Sequence, residues 1–542
     1  MSRKMRLAIL VLALIAATAL VAIHAYSQAP ARQIPVPPPP MGWSSWNSFS
    51  NTITSQIVMD QAKTLATNGL QKAGYEYINI DEGWWLGKRD ANGNIVIDDN
   101  AWPPVALNDT PGDMGSVVHF IHNLGLKAGI YTDAGKDGCS MTPDLGFAYR
   151  DVGSFGHYEQ DFLQFAKWGF DYVKVDWCGG DRENLDPAVQ YAQIARAIAH
   201  AEKATGHRLY FSICNWGKLS PWTWAPHIDD VSANIWRTSG DIVDPIVASG
   251  NHADRKASVD KMLANFDQGI HPEAQHTGAY NDPDMIVIGM AGLTDKQNRV
   301  HMSLWAVSGA PLLVGADLTK LTPDTIEMLT NPEVLAVDQD SAGLQAVKVA
   351  EPATGLQVWS KPLARPGARA VLLLNRTAAD HDVDVLAADL GLADESRMTS
   401  RDVWSRSDLG SFNKTFAVHV PGGEAALLVV TGVDVPAVQF KPDGVTPGHP
   451  LCHGCDVHFS KVAAHAQWAR VRITYTNPDK TPRFAELHVN EQPGTRIAFP
   501  PTGAAPGAIT IQSLFDRKGA TNALNFSLDR DVMPAISSID VE

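Results

Sequence analysis

Eight short apolar runs, each ending in polar or acidic residues, punctuate residues 41 to 335: "MGWSSW", "YEYINIDE", "LKAGIYTDAG", "DYVKVDWC", "LYFSICNW", "NIWRTSGD", "PDMIVIG" and "PLLVGADL". Helix-like segments such as "VVHFIHNLG", "GHYEQDFLQFAKWG", "AVQYAQIARAIAHAEKATG" and "NRVHMSLWAVSG" lie between them. Strand and helix in strict alternation bury a parallel sheet beneath helices. Eight strands over about 290 residues predict a (β/α)8 TIM barrel, a fold of about 250 residues; an open doubly wound sheet is the alternative. Barrel active sites form on the C-terminal rim of the strands. There the sequence places Asp81, Glu82, Tyr131, Asp133, Lys174, Asp176, Asn215, Arg237 and Asp241.

The 542 residues exceed the roughly 250–300 that one core holds, so further domains are expected. From 336 to 432 the helical patterns vanish, and "LQVWSKPL", "RAVLLLNRT", "DVDVLAADLG", "TSRDVWS" and "EAALLVV" outline an antiparallel β-sandwich. From 433 to 542, "ARVRITYTN", "RFAELHVNE", "TRIAFPPTG", "AITIQSL", "NALNFSLD" and "ISSIDVE" outline a third, jelly-roll-like all-β domain. At the other end Arg3, Lys4 and Arg6 precede an apolar run from Leu7 to Ile23 and small residues Ala25 and Ser27. That layout predicts a signal peptide over 1–27 and an exported protein, periplasmic or secreted, although the run could also stay as an uncleaved anchor. "PVPPPP" then reads as a stiff spacer over 28–40.

A net charge of −15 argues against nucleic acid or an anionic membrane surface as partner, since both need clustered Lys and Arg. Of the five cysteines, Cys214 sits in an apolar run and reads as a buried free thiol. Cys452 and Cys455 form a lone CxxC, better read as a small disulfide loop than as a zinc site. No metal or cofactor motif is present, so no catalytic metal or cofactor is implied.

"DYVKVDWCGGD" poses the chemical question. Alternation puts Val173 and Val175 on one face of the strand and Lys174 with Asp176 on the other. Buried charges must be paired, and an internal ion pair is the plain explanation. Yet two carboxylates on one rim are what glycoside hydrolysis requires, and Lys174 should hold Asp176 ionised as a nucleophile. Arg237 and Asp241 in "RTSGD" can enter the same pocket if the run bends after Ser239; an ion pair alone would explain them equally well. Trp46, Trp84, Trp85, Trp177, Trp216 and Trp236 lie at or beside these strand ends. Their apolar faces suit the C–H face of a pyranose, though core packing accounts for about half of them.

"MGWSSWNSF", "YINIDEGWW", "GIYTDAG", "DYVKVDWC", "WRTSGDI" and "YNDPDMIVIG" occur in order and resemble the motif series of the α-galactosidases (melibiases) of glycoside hydrolase family 27. The resemblance covers about residues 41 to 432. It implies an exo-acting retaining hydrolase for terminal α-D-galactosyl residues, with Asp176 as nucleophile, Asp241 as acid/base and a carboxyl separation of about 5–5.5 Å. It further implies that Trp46, Asp81, Glu82, Tyr131, Lys174, Arg237 and Asp284 line or grip the sugar. Asn215 would stand where such enzymes distinguish a 2-hydroxyl from a 2-acetamido group, and Cys139 would pair with Cys178. Glu82 replaces an aspartate of the usual motif, which raises β-L-arabinopyranoside as an alternative substrate; Gly83 replaces a cysteine, so one family disulfide is missing. A catalytically dead sugar-binding protein on the same scaffold is the rival of another class. The third domain resembles, more loosely, carbohydrate-binding modules of the family 6 and 35 type, which implies a galactose-containing oligo- or polysaccharide as partner.

Overall fold

The computed structural model describes residues 31–103, 113–139, 151–227, 233–244, 255–395, 397–443, 456–516, 519–528 and 532–542. The expected signal peptide and the Cys452/Cys455 pair lie outside the described residues.

Eight parallel strands form the barrel: β1 Met41–Ser44, β2 Tyr77–Asn79, β3 Lys127–Asp133, β4 Tyr172–Asp176, β5 Tyr210–Cys214, β6 Ile235–Arg237, β7 Tyr280–Asp282 and β8 Leu312–Val314. From β1 to β7 each strand pairs with its sequence neighbour, and β8 returns to β1 with Leu312 opposite Met41. A parallel bridge between Ile286 and Val314 closes the ring. The seventh strand is the one element displaced from expectation: the ladder uses "YND", before the apolar "MIVI". Pro283 has no N–H to donate, and Asp284 sits in left-handed backbone at φ 93°, so regular pairing stops at Asp282 and resumes only as the single bridge at Ile286.

Helices cover the strands for local reasons. Thr54 caps Ser55–Thr67 by accepting from Ile57 N. Asp186 and Pro187 start Pro187–Thr205, which ends at left-handed Gly206. Thr294 and Gln297 form a capping box on Asp295–Ser308.

The sandwich follows, with strands Val347–Ala353, Leu356–Pro362, Ala368–Asn375, Ala425–Thr431, Arg397–Asp402 and Ser407–Asn413 in one sheet, in that spatial order, and His381–Leu386 paired with Thr415–Val420 in the second. Val358, Val371 and Leu373 pack between the two sheets, while the opposite face of the six-stranded sheet joins the barrel core, where Phe266 meets Trp359 edge to face at 4.9 Å. The third domain stacks a five-stranded sheet on a four-stranded one around its own core.

The proline-rich spacer is structural. Arg32–Gln33 adds a parallel strand beside Gly507 and Ala508 of the third domain, Ile34 packs on that domain's core, and Val36 is buried. Pro37 then accepts a hydrogen bond from Tyr280 Oη, and Pro39 accepts one from Gln339 at 3.1 Å. The segment straps the third domain to the N-terminal side of the barrel, so it is no free spacer.

Candidate active site

The C-terminal rim gathers the charged residues singled out above. From β4, Lys174 donates to Asp81 at 2.9 Å and lies 3.8 Å from the Asp176 carboxylate. Asp176 also accepts from the Trp177 amide at 3.0 Å. From β6, Arg237 reaches Asp284 at 3.0 Å and Asp241 at 3.2 Å, and donates to Ser239 O at 3.0 Å, so the chain does turn after Ser239 and returns Asp241 to its own arginine. Asp284, held in its left-handed conformation, accepts from Ile242 N at 2.8 Å and thereby fixes the loop that carries Asp241.

The walls are aromatic and polar. Trp46 packs with Met285 and Leu313 on one side. Tyr131, fully buried, has Lys174 Nζ 5.3 Å from its ring centre, and its hydroxyl has no partner among the described residues. Asn215 uses its Nδ2 to close a turn on Lys218 O at 2.7 Å, which leaves Oδ1 buried without a partner among the described residues. Beneath the pocket Cys214 is a buried free thiol, 3.7 Å from Arg237. Cys139 and Cys178 are disulfide-bonded beside it.

Glu82 is fully buried, and Gly138 explains how it fits. A β-carbon at Gly138 would lie 2.1 Å from Glu82 Oε1 and 2.9 Å from Trp85, so the glutamate's extra methylene extends into space that a side chain would otherwise fill. Gly83 has φ 118° and lies against the Asn51 backbone, where a β-carbon would come within 2.6 Å, so this backbone excludes any side chain.

Charge states follow from depth. Burial pushes the Asp176 carboxyl up to about 6; Lys174 pulls it down, and Asp241 and Asp81 add to the rise. Lys174 favours the charged form as expected, but desolvation outweighs it in the net shift. Asp176 is still mostly ionised at neutral pH. Burial likewise raises Asp284 to about 6 against the pull of Arg237. Asp133, opposite Asp176 in the β3–β4 register, rises to about 8 through burial and the Asp176 charge, although Gly135 and Gly179 amides donate to it. Lys174 stays protonated, since Asp81 and Asp176 outweigh its burial.

Of the six rim tryptophans, four serve packing. Trp84 donates to Tyr131 O, Trp236 donates to Asn281, Trp177 lies against Tyr191, and Trp85 packs between Trp84 and Tyr131. Trp46 stands beside Met285 and Leu313, and half-buried Trp216 has Lys218 Nζ 5.2 Å from its ring centre. Sequence reasoning missed Arg255, a buried guanidinium 5.3 Å from the Trp46 ring centre. It stands alone in a polar stretch with no motif to mark it.

Two carboxylates in electrostatic contact on a barrel rim, flanked by cations and an indole wall, define a glycoside hydrolase site. The family follows from comparison: residues 38–340 match the alpha galactosidase A model, and the chain belongs to that family. Residues 353–430 match the alpha galactosidase C-terminal beta sandwich domain and 456–541 the alpha-galactosidase CBM13 domain, in place of the family 6 or 35 kind to which the sequence likened the third domain. A probable alpha-galactosidase of Dictyostelium discoideum is 36% identical over 380 residues, covering 70% of this chain and 88% of that one. The structure of alpha-galactosidase I from Mortierella vinacea aligns with a TM-score of 0.63 and 29% identity, covering 73% of this chain and 98% of that one. A family 27 β-L-arabinopyranosidase from Geobacillus stearothermophilus, at 23% identity and TM-score 0.61 over 76% of this chain and 98% of that one, shares the fold. Among the described residues no helix is long and apolar enough to cross a membrane.

Proposed function

We propose that the protein is an exo-acting retaining α-galactosidase. The observation that carries this reading is that Asp176 and Asp241 come from different strands into one pocket and feel each other's charge. In the first step an Asp176 oxygen bonds the anomeric carbon as the bond from that carbon to the leaving oxygen breaks, and Asp241 gives that oxygen its proton. In the second step Asp241 takes a proton from water, whose oxygen displaces Asp176 and restores the starting configuration. Lys174 and Arg237 hold the carboxylates and offer donors to ring hydroxyls, while Trp46 faces the sugar's apolar side. Asn215, with its free Oδ1, accepts from a 2-hydroxyl. The partner is a galactose-containing oligo- or polysaccharide that the third domain helps to retain. Export rests on the basic, apolar, small-residue layout of residues 1–27.

The test is hydrolysis of an aryl α-D-galactopyranoside followed by NMR. α-Galactose as first product supports the reading; β-galactose rejects it. Asp176→Asn should abolish turnover, whereas a protein that binds galactose but turns over no substrate in a panel of aryl glycosides would be a sugar-binding protein.

One observation favours a second reading. Glu82 is a methylene longer than the aspartate of the family motif, and a β-L-arabinopyranoside differs from an α-D-galactopyranoside by lacking the C6 hydroxymethyl group that a longer acid would crowd. The space at Gly138 takes up part of that reach, which keeps α-galactoside ahead.

A further inference from the structure

After β6, the described residues up to Asp244 lie beside the segment that begins at Arg255. Val243 and Ala257 form an antiparallel bridge, and Ala257 N donates to Ala291 O at 2.9 Å, which anchors that segment two residues beyond Arg255. Arg255 is 2% exposed. Its Nη1 donates to the Trp46 main-chain oxygen at 2.9 Å, and its guanidinium lies over the Trp46 indole at 5.3 Å from the ring centre. An arginine in that place touches the aromatic wall through both backbone and ring.

We propose that Arg255 is a positioning residue of the sugar pocket: it fixes the Trp46 wall by stacking and a hydrogen bond, and it supplies the third cation facing the pocket's carboxylates. Among the described residues, Lys174 pairs with Asp81 and Asp176, and Arg237 pairs with Asp241 and Asp284. Burial pushes the guanidinium's pKa down, and Asp241 and Asp81 push it back up, so these are the carboxylates its charge addresses. Arginine stays protonated in such a site where lysine would be less secure, and its plane suits the indole. The proposal rests on the reading of Asp241 as the proton donor.

Three versions of the full chain test it: wild type, Arg255→Met, which keeps the apolar stem, and Arg255→Lys, which keeps the charge. Circular dichroism and thermal melts establish that each is folded. With an aryl α-galactoside, Arg255→Met should lose roughly 10- to 100-fold in kcat/KM, and the basic limb of its pH profile should move up by roughly 0.5–1 unit, because the pocket loses a positive charge that favours release of a proton. The other groups facing Asp241 are unchanged in the variants: Arg237 at 3.2 Å, Lys261 on its main-chain oxygen at 3.3 Å, and Asp176, Asp284 and Cys214 through their charge or burial. Arg255→Lys should restore the basic limb but keep a KM raised at least threefold, since an ammonium cannot stack as a plane. Met and Lys variants with equal losses and unmoved profiles would mark a purely structural arginine and overturn the proposal. So would an Arg255→Met enzyme within twofold of wild type. Galactose binding read by tryptophan fluorescence needs no turnover: a fivefold weaker affinity in Arg255→Met supports the positioning role, and an unchanged affinity overturns it. A wild type inactive on the aryl-glycoside panel would instead count against the hydrolase reading.

Discussion

Asp133→Asn should make the protein more stable at pH 8 and leave it unchanged or weaker at pH 5. Asp133 is fully buried opposite Asp176, and its Oδ1 accepts from Gly135 N at 2.7 Å and Gly179 N at 3.0 Å. Asparagine keeps that acceptor and carries no charge. In the wild type the folded carboxyl titrates at about 8, raised mainly by burial and then by Asp176, while an unfolded aspartate titrates near 3.9. Between those values the folded state binds more protons than the unfolded one. The group's contribution is therefore fully present below about pH 4 and falls as pH rises, until it is lost above about pH 8. From pH 5 to pH 8 the loss is roughly 3–4 kcal/mol, and a shift half as large would still give roughly 1–2 kcal/mol. Urea unfolding followed by tryptophan fluorescence at both pH values gives the difference between variant and wild type. The shifts of Asp176 and Asp284 are common to both proteins and largely cancel. A difference that stays constant from pH 5 to pH 8 would show that Asp133 ionises normally and refute the reasoning.

Glu82→Asp should raise the ratio of kcat/KM for α-D-galactopyranoside over β-L-arabinopyranoside; the discrimination available from one such group is about 1–3 kcal/mol, or roughly 10- to 200-fold, and an unchanged ratio means that Glu82 does not set specificity. Gly138→Ala should disturb the same ratio, because its β-carbon would fall 2.1 Å from Glu82 Oε1 and drive the carboxylate into the pocket; paired kinetics on both glycosides check it. Replacing Cys139 and Cys178 by serine opens a loop spanning 39 residues, which the chain-entropy account values at roughly 4 kcal/mol. A clear fall in Tm is expected, matched by wild type under reductant, and an unchanged Tm would mean that other contacts already fix the loop.

The strands were readable because alternation and polar endings are local signals, and each barrel run except the seventh pairs where its pattern falls. The seventh failed for a local reason too. "PDMIVIG" carries the apolar run, but Pro283 and left-handed Asp284 lie at its head, and pairing went to the less apolar "YND". What sequence could not show is depth. Lys174 favours the ionised form of Asp176 as its place on the strand suggests, yet burial decides the sign of the net shift, and burial is fixed by elements far away in the chain. Composition likewise identified "PVPPPP" as stiff without showing that Val36 and Pro37 have a surface to lie on. Arg255 is the same problem in a functional residue: its meaning comes from Trp46, more than two hundred residues earlier.

Glu82 shows how such distant information can be recovered. Alone, it is an anomaly in a motif, and a substrate change is the simplest consequence of a longer acid in a fixed pocket. The pocket is not fixed, however. Gly138 has no side chain where one would meet Glu82 Oε1, and Trp85 borders the same space. Gly138 also directly precedes Cys139, whose bond to Cys178 ties its loop to the helix after the nucleophile. The longer acid, the missing side chain and the disulfide therefore form one mechanical unit, in which the position of the Glu82 carboxylate depends on how firmly that loop is held. Reducing the Cys139–Cys178 bond should then alter the galactoside to arabinopyranoside ratio as well as stability. Thermal melts separate the two effects, because a specificity change that appears well below the unfolding transition cannot come from unfolded protein.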